Sequence, residues 1–257
     1  MEHAKTRDDW QVLPNLLSGL EHAGRPFGYH RIVRSARSAG NAGQIYSIID
    51  CARQVKKTGV SLGSRELTNS ILYHVVRKGQ ESGWEEGETK KALGWAEKVL
   101  EMLEDPSHVP RQMPDRVNIP LFKDPLVLGA VLNLAAARAV KHTGGEDVDG
   151  KVALYAQKLV GGWRDDRALR SVEMQLSPRA AGDKPNGYHS KSEYLVAASP
   201  ALRGMELAMQ VVDAELSEKL GAIAAKLRAE VDNVLAESGE FPTRGVQAYR
   251  DIFDIKE

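Results

Sequence analysis

The sequence predicts an all-α protein, a right-handed stack of antiparallel helical hairpins with a long C-terminal helix. Three observations predict it. Apolar residues recur at three- and four-residue spacing along most of the chain. Glycines close these stripes, as at Gly40-Asn41 and Gly59, where glycine adopts a left-handed cap without strain. Runs of two-residue alternation rich in β-branched residues, which would mark strands, are absent.

Taken in order, residues 8–23 form a helix with Trp10, Leu13, Leu16, Leu17 and Leu20 on one stripe, ended by Gly24 and Pro26. A hairpin follows. Its first helix covers 27–39, with Phe27, Ile32, Val33 and Ala36 inward, and its second covers 42–58, with Ile45, Ile48, Ile49, Ala52 and Val55 inward. The short join forces the two to fold back on each other. The next hairpin opens at Ser61 or Ser64, either of which can cap a helix running to about 79 through Leu67, Ile71, Leu72, Val75 and Val76. Its partner, 88–103, carries Ala92, Leu93, Ala96, Val99, Leu100 and Leu103.

Pro106, Pro110, Pro114 and Pro120 forbid a continuous helix over 105–123, so this stretch is a linker or an extended crossing segment. A third hairpin occupies 124–163. Asp124 is its N-cap and Pro125 its first helical residue, and Gly144-Gly145 separates the two helices. Residues 164–198, with Pro178, Gly182, Pro185 and Gly187, form an irregular loop region. From Ser199-Pro200 to Gly239 the chain predicts one long helix. Its stripe from Leu202 to Val234 takes nine steps over 32 residues, between the periods of a coiled coil and a packed helix. Packing along the domain edge and a dimeric coiled coil both fit that period, and the lack of sustained opposite charges beside the stripe favours the first. A short helix is expected at 244–254. The domains are thus hairpins over 1–104, a proline-rich linker over 105–123, a third hairpin over 124–163, a loop region over 164–198, and the long helix with its tail over 199–257.

Composition narrows the function. The 257 residues carry 35 basic and 35 acidic side chains, so no global charge demands nucleic acid or an anionic membrane. The single cysteine, Cys51, excludes an internal disulfide and a cysteine zinc site, and its apolar neighbours make it a buried structural thiol. No apolar run is long enough to span a membrane. The first ten residues, with Glu2, Asp8 and Asp9, are too acidic for a transit peptide. Either no presequence is needed or the chain begins after its removal.

No phosphate-binding glycine loop, dinucleotide fingerprint, zinc-protease motif or nucleophile elbow occurs. The stretch "GGEDVDG" at 144–150 hints at a calcium loop, but Ala156 stands where the bidentate glutamate belongs. None of the 7 histidines pairs with another at helical spacing, so no metal is expected. His74, between Tyr73 and Val75, is expected to be a hydrogen-bonded packing residue. The four tryptophans belong to packing surfaces. The sequence therefore predicts a protein that is not an enzyme and takes no cofactor.

Residues 26–60, "PFGYHRIVRSARSAGNAGQIYSIIDCARQVKKTGV", resemble a pentatricopeptide repeat, a helical-hairpin unit related in architecture to the tetratricopeptide repeat. Tyr29, His30, Ile32, Val33, Ala39-Gly40 and Lys57-Thr58-Gly59-Val60 carry the match. It is partial over 61–104, faint over 124–163 and absent over 164–257. The resemblance implies a mitochondrial protein of organellar gene expression, the alternative being cytoplasmic. It also implies single-stranded RNA on a concave surface lined by first helices, with His30 and Asn69 at base-reading positions. Arg31, Arg34 and Arg37 fall near the same helix and could contact phosphates, contact a protein, or form a solvated face. Residues 27–60 hold six basic groups against Asp50 alone. Gly129, at the reading position of the third unit, has no side chain to read a base. Residues 61–104 (six basic, eight acidic) and 199–239 (four basic, seven acidic) have the opposite balance. This favours a scaffold or assembly subunit of a larger complex, with protein partners, over free RNA binding in organellar RNA processing or translation.

Overall fold

The computed structural model describes residues 6–108, 120–163, 190–238 and 243–255. Among the described residues the regular structure is entirely helical. The helices are α1 (Arg7–Gln11), α2 (Leu13–His22), α3 (Tyr29–Asn41), α4 (Ile45–Arg53), α5 (Val55–Thr58), α6 (Arg65–Glu81) and α7 (Glu86–Glu104). They continue with α8 (Pro125–His142), α9 (Lys151–Gly162), α10 (Lys191–Ala208), α11 (Ala214–Ala236) and α12 (Arg244–Ile252). The all-α expectation holds.

Local chemistry explains the starts. Thr6 and Asp9 cap α1 reciprocally, the Asp9 amide donating to the Thr6 hydroxyl and the Thr6 amide to the Asp9 carboxylate at 2.8 Å. Of the two serines at the head of α6, Ser64 is the cap, accepting from the Leu67 amide. Asp124 accepts from the Leu126 amide at 2.9 Å with Pro125 leading α8. Its other oxygen pairs with Arg65 at 2.8 Å, which ties the start of α8 to the start of α6.

The hairpins pack on one another in chain order: α3 on α6, α4 on α7, α6 and α7 on α8, α8 on α9 and on α10, and α11 on α9 and α10. A single apolar core runs through them, from Trp10 through Ile48, Ile71, Leu132 and Leu202 to Leu227. The tightest crossing is α8 against α10. A Cβ on Gly204 would sit 2.3 Å from the Gly129 carbonyl oxygen, and one on Gly129 would sit 2.5 Å from the Ala201 Cβ. Gly129 is thus a packing glycine.

The C-terminal third differs from the sequence expectation. The region 164–198 was expected to be loop, yet α10 already begins at Lys191, capped by Ser190 accepting from the Glu193 amide. Residues 164–189 lie outside the described residues, as do 109–119 of the linker. Pro200 sits inside α10, and the buried Asn133 amide donates to its carbonyl at 3.0 Å. The expected single long helix over 199–239 is two helices. Asp213, whose side chain accepts from the Leu216 amide at 2.9 Å, starts α11 afresh. The stripe continues across the break because Leu216, Leu220, Leu227, Val231 and Val234 bury against the same molecule. That arrangement is the packed-helix alternative rather than a coiled coil. The helix expected over 8–23 also divides, at Val12.

Candidate interaction surface

Helix α6 is the hub. It is touched by α3, α4, α7, α8, α10 and α12, and it buries polar residues along with apolar ones. Along the side it turns to α3 and α12 runs a polar seam. At one end, Arg37 of α3 forms an ion pair with Glu66, whose side chain is only 10% exposed. The Tyr29 hydroxyl donates to the same carboxylate at 2.9 Å and also bonds the Ser64 hydroxyl. Burial pushes the Tyr29 phenol up, and the Glu66 charge adds to the push.

At the other end, the Tyr73 hydroxyl donates to Asp251 of α12 at 2.6 Å. Gln80 donates to the Asp251 carbonyl at 2.6 Å and to the Asp254 carboxylate at 2.9 Å. A second line holds α12 to α10 and α11. The Gly245 amide donates to the Ser192 hydroxyl at 2.8 Å, and the Arg228 guanidinium donates to Tyr249 at 3.0 Å while lying 4.8 Å above the Phe253 ring. Arg228 also pairs with Glu206. A Cβ on Gly245 would come within 2.5 Å of the Ser192 carbonyl oxygen, so α12 approaches the start of α10 at backbone distance.

The chain's own C-terminal helix therefore lies against the first-helix side that the pentatricopeptide resemblance reserved for RNA. The site residues fall accordingly. Asn69 is 4% exposed inside α6, so no base can reach it. Arg37 is committed to Glu66. His30, Arg31 and Arg34 remain on the exposed side of α3, with the Arg31 guanidinium 5.9 Å over the Phe27 ring. The structure does not bring the five residues together into one face.

His74 is buried, but its Nδ1 has no hydrogen-bond partner, so it is not the bonded packing residue expected. Its ring lies against Gly40 of α3, where a Cβ would meet the imidazole. Burial, then the Arg77 and Arg244 charges, hold its pKa down at about 4. Cys51 is fully buried, and burial pushes its thiol up to about 12. The acidic loop 144–150 is spent on structure: Asp147 accepts from the Val152 and Ala153 amides at 3.1 and 2.8 Å, and Asp149 pairs with Arg138. Among the described residues no group of histidine, cysteine and carboxylate side chains could hold a metal ion, and no helix is long and apolar enough to cross a membrane.

Comparison with known proteins overturns the repeat assignment. The family described as "Mrp13: Mitochondrial ribosomal protein mS27" matches residues 1–251 as one unit rather than as a recurring hairpin module, so the likeness of residues 26–60 to a pentatricopeptide or tetratricopeptide repeat was a likeness of helical hairpins in general. The chain is also 32% identical over 250 residues to the small ribosomal subunit protein mS27 of Neurospora crassa. That alignment covers 91% of this chain and 62% of that protein, so the chain spans less than two thirds of its relative's length. The chain belongs to the mitochondrial ribosomal protein mS27 family, which makes it a mitochondrial protein and not an enzyme.

Proposed function

We propose that the protein is a structural subunit of the mitochondrial small ribosomal subunit, holding neighbouring proteins in place through the outside of its packed hairpins. The family match from residue 1 to 251 carries this reading. The physical picture agrees with it. The groove side of α6 is filled from within by α12, which leaves outer surfaces as the means of contact.

A second reading is favoured by one observation. Arg31, Arg34, Lys56 and Lys57 are exposed in the segment 27–60. Exposed cations of this kind meet ribosomal RNA phosphates without reading bases.

Sucrose-gradient sedimentation of mitochondrial lysate tests the first reading. The tagged full chain is expected in the fractions holding small-subunit ribosomal RNA, and to stay there after a salt wash that strips loosely bound proteins. Recovery at the top of the gradient would refute it. Changing Arg31, Arg34, Lys56 and Lys57 to glutamate separates the second reading. RNA phosphate contact predicts that the variant leaves the particle at lower salt than the wild type does, and equal retention removes it.

A further inference from the structure

Where α3, α6 and α12 come together, three side chains each keep a buried nitrogen without a hydrogen-bond partner. They are Arg37 through Nε, His74 through Nδ1 and Arg244 through Nη1. The helices place them side by side. Arg37 stands one turn before Gly40, and Gly40 packs directly on the His74 ring. Arg244 leads α12, at the end of that helix where the peptide dipoles add positive charge. His74 itself is only 6% exposed.

The acidic groups nearby are already engaged, and they do not compensate the cations. Glu66 accepts from Arg37 Nη2 and from Tyr29. Asp251 accepts from Tyr73 and lies 3.9 Å from Arg77, which also pairs with Glu81 at 2.7 Å. Arg244 faces Glu66 and Glu193, yet burial and then Arg37 hold its pKa below the usual arginine value. His74 is lowered likewise, by burial and then by Arg77, Arg244 and Arg37, against Asp251 alone.

A water molecule would not satisfy this junction. Arg37 Nε has one N–H to give and Arg244 Nη1 has two, whereas a water oxygen offers two lone pairs and no charge. A tetrahedral oxyanion accepts all three N–H groups and a His74 Nδ1 proton as well. It also brings the negative charge that a buried guanidinium needs.

We infer that the junction of α3, α6 and α12 seats one small inorganic oxyanion of the phosphate class, gripped by Arg37, His74 and Arg244. The ion ties the start of α12 to α3 and α6 and so helps to close the first-helix side. A free ion suits the seat better than a phosphate in an RNA backbone, because the unpaired nitrogens are buried and a polynucleotide cannot follow them inward.

Thermal melts of the purified full chain test the seat, with sulfate as the probe and chloride holding the ionic strength constant. The wild-type Tm is expected to rise saturably, by about 3–5 °C once sulfate exceeds its dissociation constant tenfold. Inorganic phosphate should act alike. Arg244→Met keeps the aliphatic stem and removes the donors. It should lose the saturable part and keep the linear rise that sulfate gives any protein. Sulfate should also make the loss of stability between pH 7 and pH 4.5 shallower. The groups facing His74 are Arg37 of α3, Tyr73 and Arg77 of α6, and Arg244 and Asp251 of α12, and an anion among them favours the protonated ring. A single-stranded oligoribonucleotide at the same phosphate concentration is expected to give no shift. A purely linear rise in the wild type, an equal saturable rise in Arg244→Met, or a shift with the oligonucleotide and none with sulfate would overturn the inference. Titration calorimetry of the wild type needs no variant: one sulfate site per chain is expected, and no site would overturn the inference however Arg244→Met folds.

Discussion

The Tyr73 hydroxyl donates to the Asp251 carboxylate at 2.6 Å, joining two residues 178 positions apart. The bond fixes the C-terminal helix α12 on the central helix α6, and Gln80 repeats the tie about two turns further along α6. Tyr73→Phe keeps the ring and removes the donor. Because the acceptor is charged and partly buried, the change is expected to cost about 1–2 kcal/mol in a urea unfolding experiment. Tyr73→Phe with Gln80→Ala should cost more than either change alone, and amide exchange in 244–252 should rise before exchange in α8 does.

The glycines predict opposite signs. Gly204→Ala would drive a methyl group against the Gly129 carbonyl and the Asn133 backbone, in a crossing where neither helix can yield. A loss of at least ~3 kcal/mol, or failure to fold, is expected from this overpacking. Gly94→Ala, mid-helix in α7 with nothing within 4 Å, should stabilise the isolated chain by about 0.5–1 kcal/mol. Thermal melts of both variants check the pair.

Acid should loosen the α3–α6 contact. The His74 pKa is lowered to about 4 by burial, then by Arg77, Arg244 and Arg37, with only Asp251 opposing. Unfolded histidine titrates near 6.5. Between these values the unfolded chain binds more protons, so this contribution is whole above about pH 6.5 and is lost as pH falls toward 4. His108, also shifted down by burial, behaves alike, because its Nδ1 accepts the Leu62 amide at 3.0 Å and cannot do so once protonated. Going from pH 7 to pH 4.5 should cost His74 about 2 kcal/mol. His74→Leu should show a shallower fall in urea midpoint than the wild type over the same range.

Cys51, buried with its thiol raised to about 12, should not react with a thiol reagent at pH 8 in the native state and should react at once in urea.

How much of this could be read in the sequence varies with the range of the interaction responsible. Asp124-Pro125 announced α8 because a cap and a fixed φ act within three residues. The hairpin of α3 and α4 was legible because its stripes are local, but its turn lies later than the expected Gly40-Asn41: α3 runs to Asn41, the left-handed glycine is Gly43, and the second helix, expected over 42–58, divides at Gln54. The start of α10 was hidden in plain view. Ser190 and Glu193 form a cap, but Pro185 and Gly187 argued for loop, and Ser199-Pro200 read as the start of a helix rather than its inside. The side-chain amide of Asn133, on another helix, bonds the Pro200 carbonyl, a contact that no local signal announces. The break at Asp213 was masked by an apolar stripe that both flanking helices bury on the same side.

Asn69 drops out of the candidate site for a longer-range reason. Whether Asn69 is open depends on the helices packed on α6, one of them α12 arriving from the far end of the chain, and nothing near Asn69 encodes that. Leu16, read as part of the inward stripe with Leu13 and Leu17, is 52% exposed, because periodicity shows that a helix has an apolar side but not how wide a part of it is covered.

Hydrogen exchange of the purified full chain, followed at the amides of 244–252, tests most directly that the first-helix side is closed from within. Protection approaching that of α6, lost together in Tyr73→Phe/Gln80→Ala, is the result expected of a docked α12. Exchange at the rate of an unstructured peptide in the wild type would show the helix undocked and the groove open, and would contradict the account.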